Sequence, residues 1–135
     1  MPSSENIGKA SKKSQLRALA IDAYITSKEA VVRNIAELEF TYGYKKVRPD
    51  GSLTNKFATL MILRGEPGLI LHIRKLEEQK GLELQKEVDK ILGKVYERNE
   101  MQIREKAHEV FIRLDWVNDI EEIKEFIDEA YFVKL

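Results

Sequence analysis

Two histidines, no cysteine and a close-set group of lysines and tyrosines are the residues from which this chain could build chemistry. His72 stands in Leu71-His-Ile73 and His108 in Lys106-Ala-His-Glu-Val110, so neither belongs to a His-Glu-x-x-His zinc pair. With no cysteine, no mixed zinc ligand set can be completed. A distant Ser or Asp brought to either histidine by the fold would allow catalysis, but the order of residues along the chain points to no such partner. The seven glycines stand singly, and none precedes Lys-Ser or Lys-Thr at the spacing of a phosphate-cradling loop. Glu77-Glu78 and Glu121-Glu122 lie in strongly polar stretches, whereas acid/base work needs environments that set two carboxylates apart. The residue types predict no catalytic residue, no metal site, no cofactor and no small-molecule substrate, and therefore a protein that is not an enzyme.

The densest local signal is basic and aromatic: Tyr42, Tyr44, Lys45, Lys46, Arg48 and Lys56, preceded by Lys9, Lys12 and Lys13. Lysine and arginine on a hairpin can follow a phosphate backbone, flexible basic arms add a salt-dependent attraction, and tyrosine can stack on bases. The same charges can equally be solvated, or paired with Glu37 and Glu39. Net charge is zero, yet residues 1–56 carry 10 Lys/Arg against 6 Asp/Glu, while residues 96–135 carry 6 against 11. A basic front and an acidic back can steer a polyanion to one end or set subunits head to tail.

Positioning these residues requires elements, and the apolar spacing predicts mostly helices. Residues 1–13 read as a flexible basic arm, and 14–135 as one helical domain from which 41–54 projects as a hairpin. A first helix from Ser14 to Thr26 presents Leu16, Leu19, Ala20 and Ala23. A second, with Thr26 and Glu29 at capping-box spacing, runs to Phe40, either separate or continuous with the first. Pro49-Asp50-Gly51 predicts a turn between arms Tyr44–Arg48 and Ser52–Thr54. Residues 55–64 suit a short buried helix, though Phe57, Thr59, Met61 and Leu63 alternate as in a strand; 69–80 read as a helix ended by Gly81.

From Leu82 to Leu114, Leu92, Tyr96, Asn99, Ile103, Ala107, Val110 and Leu114 recur at heptad-like spacing, predicting one long helix with Asn99 as a register-setting polar residue in its seam. A final helix from Ile120 carries Ile123, Ile127 and Ala130, with Asn118–Glu121 and Asp119–Glu122 both at capping-box spacing.

The succession of a helix at Ala23-Tyr24, a helix from Glu29 to Glu37, a tyrosine-bearing hairpin with Asp50-Gly51-Ser52 and a helix opened by Asn55 resembles the core of phage terminase small subunits. The matched positions are Tyr24, Asp50, Gly51 and Asn55, within residues 15–64. That resemblance implies an oligomeric helical protein that recognises viral DNA and delivers it to a packaging motor.

The expectation is thus an all-α bundle of five to six helices with a long C-terminal-half helix and one small β-hairpin, self-associating through residues 82–114. No apolar run is long enough to span a bilayer and no signal peptide is evident, so a cytoplasmic, non-membrane protein is expected. Two functional readings follow. One is a non-enzymatic nucleic-acid-binding oligomer of phage-packaging or mobile-element type, with DNA as partner and Lys9, Lys12, Lys13, Tyr44, Lys45, Lys46, Arg48 and Lys56 as contacts. The other is a helical structural or adaptor protein, with Asn99, Trp116, Phe126 and Tyr131 as protein-interaction residues.

Overall fold

Strands occupy much of the ground where helices are expected. The computed structural model describes residues 12–36, 41–62, 67–74 and 78–134. They form α1 (Lys12–Thr26), β1 (Val31–Ala36), β2 (Thr41–Lys46), β3 (Ala58–Met61), β4 (Gly68–His72), α2 (Glu78–Leu92), α3 (Glu100–Glu105), β5 (Glu109–Arg113) and α4 (Lys124–Val133), with short 3-10 turns at Leu114–Trp116 and Ile120–Glu122. The strands make one antiparallel sheet in sequence order, β1-β2-β3-β4-β5. The fold is mixed α/β, which overturns the expectation of an all-α bundle with a single hairpin.

The register explains the sheet's two faces. Tyr42, Leu60, Leu69 and Ile112 form one cross-strand row, and Tyr44, Ala58, Leu71 and Val110 the next. Because strand side chains alternate, both rows lie on one face, where they join Ile21 and Ile25 of α1, Ile123 just before α4, and Phe126, Ile127 and Ala130 of α4 in the core. The opposite face carries Gly43, Thr59, Ile70 and Phe111 in one row, with His72 opposite Glu109 in the next.

Helix α1 turns a different side inward from the one its leucines suggest. Ser14, Ala18, Ile21 and Ile25 are buried, while Leu16 and Leu19 are 53% and 68% exposed. Polar anchoring decides this: Ser14 donates to Asp115, and Arg17 donates to the carbonyls of Val117 and Asn118, so small Ser14 and Ala18 must face that turn. Thr26 and Ser27, expected to open a second helix, close the first by donating to the Asp22 and Tyr24 carbonyls at 2.7 and 2.6 Å. Val31 and Val32 then continue as a strand, β-branched residues being poor helix formers that pack well on a pleated surface.

The 82–114 rod does not form. Helix α2 ends at Leu92 because Gly93 adopts φ +74° and its N–H returns to the Asp89 carbonyl at 2.9 Å. Asn99 is no seam residue but the N-cap of α3, accepting from the Gln102 N–H at 2.9 Å while its own N–H donates to the Gln102 side chain at 3.0 Å. Ala107 to Leu114 then become loop, strand and turn. Val95 and Ile103 are 70% and 62% exposed rather than packed in a stripe. The coiled coil disappears, and with it the argument for self-association through this segment.

Gly81 lies inside α2 instead of ending a helix. A Cβ there would stand 2.6 Å from the Ala107 carbonyl oxygen, so glycine allows α2 to lie against the 107–108 backbone. This contact brings Gln85 to the edge of β5. Its amide donates to the Phe111 carbonyl at 3.0 Å and accepts from the Phe111 N–H at 2.7 Å, closing that edge as a sixth strand would. Arg98 adds a bond to the Glu109 carbonyl at 2.5 Å.

Candidate functional site

Consecutive residues of β2 divide the basic cluster between the two faces. Tyr44 is fully buried in the core and donates to Asp22 at 2.8 Å. Burial, reinforced by that hydrogen bond and the carboxylate's charge, pushes its phenol far above the usual tyrosine value, and no ring face is open to a base. Lys46, on the same side, donates to the Tyr131 and Lys134 carbonyls at 3.1 and 2.7 Å and lies 4.1 Å from the centre of the Tyr131 ring. It caps the end of α4, and burial lowers its pKa. Arg48 donates to Ser52 Oγ at 3.3 Å and to the Leu53 carbonyl at 3.0 Å across the Pro49-Asp50-Gly51 turn, where Gly51 supplies φ +89°.

Lys45 and Lys56 belong to the other face. They line a cavity of about 400 Å³ with Asn55, His72, Ile73, His108 and Lys134. Gly43 makes room for the Lys56 stem, which runs over it: an added Cβ would be 3.1 Å from Cδ and Cε and 3.6 Å from Nζ. Among the described residues no carboxylate lines this cavity, and no ion pair engages Lys45, Lys56 or Lys134. Burial, then the nearby positive charge of Arg74, lowers the Lys134 pKa.

Behind the lysines stands a hydroxyl–imidazole–carboxylate chain across three adjacent strands. Thr59 Oγ1 is 2.7 Å from His72 Nε2, and His72 Nδ1 is 2.5 Å from Glu109 Oε2. Glu109 is 6% exposed. Burial pushes its carboxyl upward, but the hydrogen bond and charge of His72, with smaller contributions from Lys106 and His108, outweigh this and hold it below the usual glutamate value. An ionised carboxylate can only accept, so Nδ1 carries the proton; in the neutral ring Nε2 then accepts from the Thr59 hydroxyl.

Of the remaining predicted site residues, Lys9 lies outside the described residues, as do Glu37 and Glu39. Lys12 and Lys13 open α1, and Lys13 donates to Asn118 at 2.9 Å. Phe126 is 3% exposed in the core. Tyr131 is half-buried: its hydroxyl donates to the Glu29 carbonyl at 2.7 Å, and its ring meets Phe57 edge-on at 5.6 Å. Trp116, half-buried, meets Tyr96 at 6.3 Å under Arg113 and Lys94. The structure brings together Lys45 and Lys56 from the predicted set, joins to them His72 and His108, for which the chain order offers no partner, and adds Lys134, Thr59 and Glu109, which have no predicted role. The only signal for the last pairing was a histidine and a glutamate within apolar strand-like runs, Leu69 to Ile73 and Glu109 to Ile112.

No known protein family matches the chain, and no curated protein or solved structure is similar to it. Nothing among known proteins therefore bears on the resemblance to terminase small subunits, for or against. The reading as a helical nucleic-acid-binding oligomer is overturned by the fold itself, and the helical adaptor reading falls with the same bundle. Among the described residues no helix is long and apolar enough to cross a membrane.

Proposed function

We propose that the protein binds a small molecule bearing a phosphate or carboxylate group, held on the open face of the sheet by Lys45, Lys56 and Lys134 with His72 and His108 beside them. The observation that carries this reading is that three lysines, from β2, the 55–56 segment and the residue after α4, line one cavity; among the described residues no carboxylate lines it and no ion pair engages any of the three. An anion placed among them would gain charge-assisted hydrogen bonds. The cavity's size, about 400 Å³, suits a small molecule.

Calorimetric or NMR titration with inorganic phosphate and with succinate, at low and high salt, tests the reading and separates the two ligand types. Saturable binding that weakens at least about tenfold in the Lys45→Gln, Lys56→Gln double variant is expected, a loss of roughly 1.4 kcal/mol. Absence of binding to both anions at about 10 mM, or binding indifferent to the two lysines, removes it.

A further inference from the structure

Resting on that anion-binding reading, we propose that Thr59 is the nucleophile of an acyl-transfer site that acts on carboxylic esters whose acyl part carries a negative charge. The carrying observation is the chain Thr59 Oγ1 to His72 Nε2 at 2.7 Å and His72 Nδ1 to Glu109 Oε2 at 2.5 Å. A nucleophile within hydrogen-bond reach of a base that a third group orients is the arrangement by which unrelated folds activate a hydroxyl. Here three neighbouring strands supply one member each, on one face, and no residue order along the chain is needed.

Two further features suit an ester. Thr59 is 8% exposed on the face of the sheet that bears Gly43 and Lys45, and its hydrogen-bond partner His72 lines the cavity. Gly43 is its direct cross-strand partner, and the Lys56 ammonium lies over that glycine, where it can face negative charge developing on a carbonyl oxygen. Lys45 and Lys134 are left for the charged end of the acyl group.

The step balances without any redox partner. Thr59 Oγ1 bonds to the ester carbonyl carbon as its proton passes to His72 Nε2, and Glu109 holds the resulting imidazolium. The bond to the leaving alcohol breaks, and that oxygen takes the proton from Nε2. Water then attacks the acyl-Thr59 carbonyl with its proton going to Nε2, and the Thr59 oxygen leaves with that proton to release the acid. Thr59 and His72 are the catalytic residues, and Glu109 positions His72.

The experiment uses the full chain with 4-nitrophenyl 4-sulfobenzoate and the neutral 4-nitrophenyl benzoate, reading nitrophenolate release and, by peptide mass mapping, the site of any acyl adduct. Expected are an adduct at position 59 from the charged ester, its retention in Thr59→Ser, its loss in Thr59→Val, and a fall of about 10²- to 10⁴-fold in acylation with His72→Gln. Glu109→Gln is expected to lower acylation and alter its pH profile, which a merely structural role would not do. Circular dichroism establishes that each variant folds, and Thr59→Val keeps the side chain's shape. No adduct at 59, adducts on lysines alone, or release unchanged in Thr59→Val overturns the proposal. Phosphate binding without acylation leaves the anion site standing and removes only the nucleophile. Equal acylation by both esters keeps the nucleophile and removes the anion site.

Discussion

The two faces of β2 carry side chains of similar character to opposite ends. Tyr44 and Lys46 point into the protein, where one pins α1 through Asp22 and the other caps α4; Gly43 and Lys45, between and beside them, belong to the open face and its cavity. A run of lysines and tyrosines is therefore no single patch. The pleat sorts it with a period of two, and neighbours in sequence share neither environment nor task. One lysine's charge is consumed by backbone carbonyls, and the next remains available to a ligand.

The most severe way to break this comparison is Tyr44→Ala. Removal of a fully buried ring that bonds Asp22 is expected to cost about 3–5 kcal/mol in chemical denaturation, because it leaves a cavity and strips a partner from a carboxylate that also holds Arg33 at 2.7 Å. A smaller loss on the open face is expected for Glu109→Gln, roughly 1–3 kcal/mol near neutral pH. Its sign with pH is fixed: the folded carboxyl lies below its unfolded value of about 4.3, so its stabilisation is complete above that pH and disappears as pH falls through the folded value. Denaturation curves of native protein and variant should converge in acid; a gap that stays constant would show that Glu109 stabilises through packing alone.

A matched pair sharpens the contrast further. Lys46→Met is expected to lower stability by about 1–2 kcal/mol through the two freed carbonyls while leaving phosphate affinity unchanged. Lys45→Met should do the reverse, with stability within about 0.5 kcal/mol of the native protein and weakened phosphate binding. Equal effects from the two would contradict the division of the strand. The mildest case is Gly43→Val. Its side chain would crowd the Lys56 stem, so a melting shift of under about 1 kcal/mol with a clear fall in phosphate affinity is expected.

Much of what the chain spells locally is visible in the structure. Helix α1 covers the stretch expected of it, though not with the expected face inward, and at the C-terminal end Ile123, Ile127 and Ala130 are buried as expected. The Pro49-Asp50-Gly51 turn closes between Val47 and Leu53, and Asp119 with Glu122 forms the capping box that the spacing suggests. The strands are less legible in the sequence. Leu69 and Ile73 satisfy a helical spacing, and Leu69 and Leu71 satisfy a strand equally well; five residues cannot separate the periods. The four positions Phe57, Thr59, Met61 and Leu63 do alternate, but the inward side of β3 is Ala58 and Leu60, because pairing with Tyr42 and Tyr44 sets the register. Among the expected heptad positions, Leu92 leans on the helical side of the core and Val110 on the sheet, so one apparent stripe is assembled from two unrelated elements.

By itself the sequence determined the turn at 49–51, the cap at 119 and the absence of cysteine chemistry; the stop at Gly93 and the cap at Asn99 rest on equally local rules but are masked by a heptad-like spacing that runs through both. These depend on φ preferences and on hydrogen bonds across three or four residues, which neighbours alone can satisfy. Which lysines face a cavity, and that Thr59, His72 and Glu109 meet, only the tertiary structure decided. The last two are 37 residues apart in the chain and become adjacent through a β4–β5 pairing whose register is selected by the burial of Leu69, Leu71, Val110 and Ile112 on the other side of the same sheet.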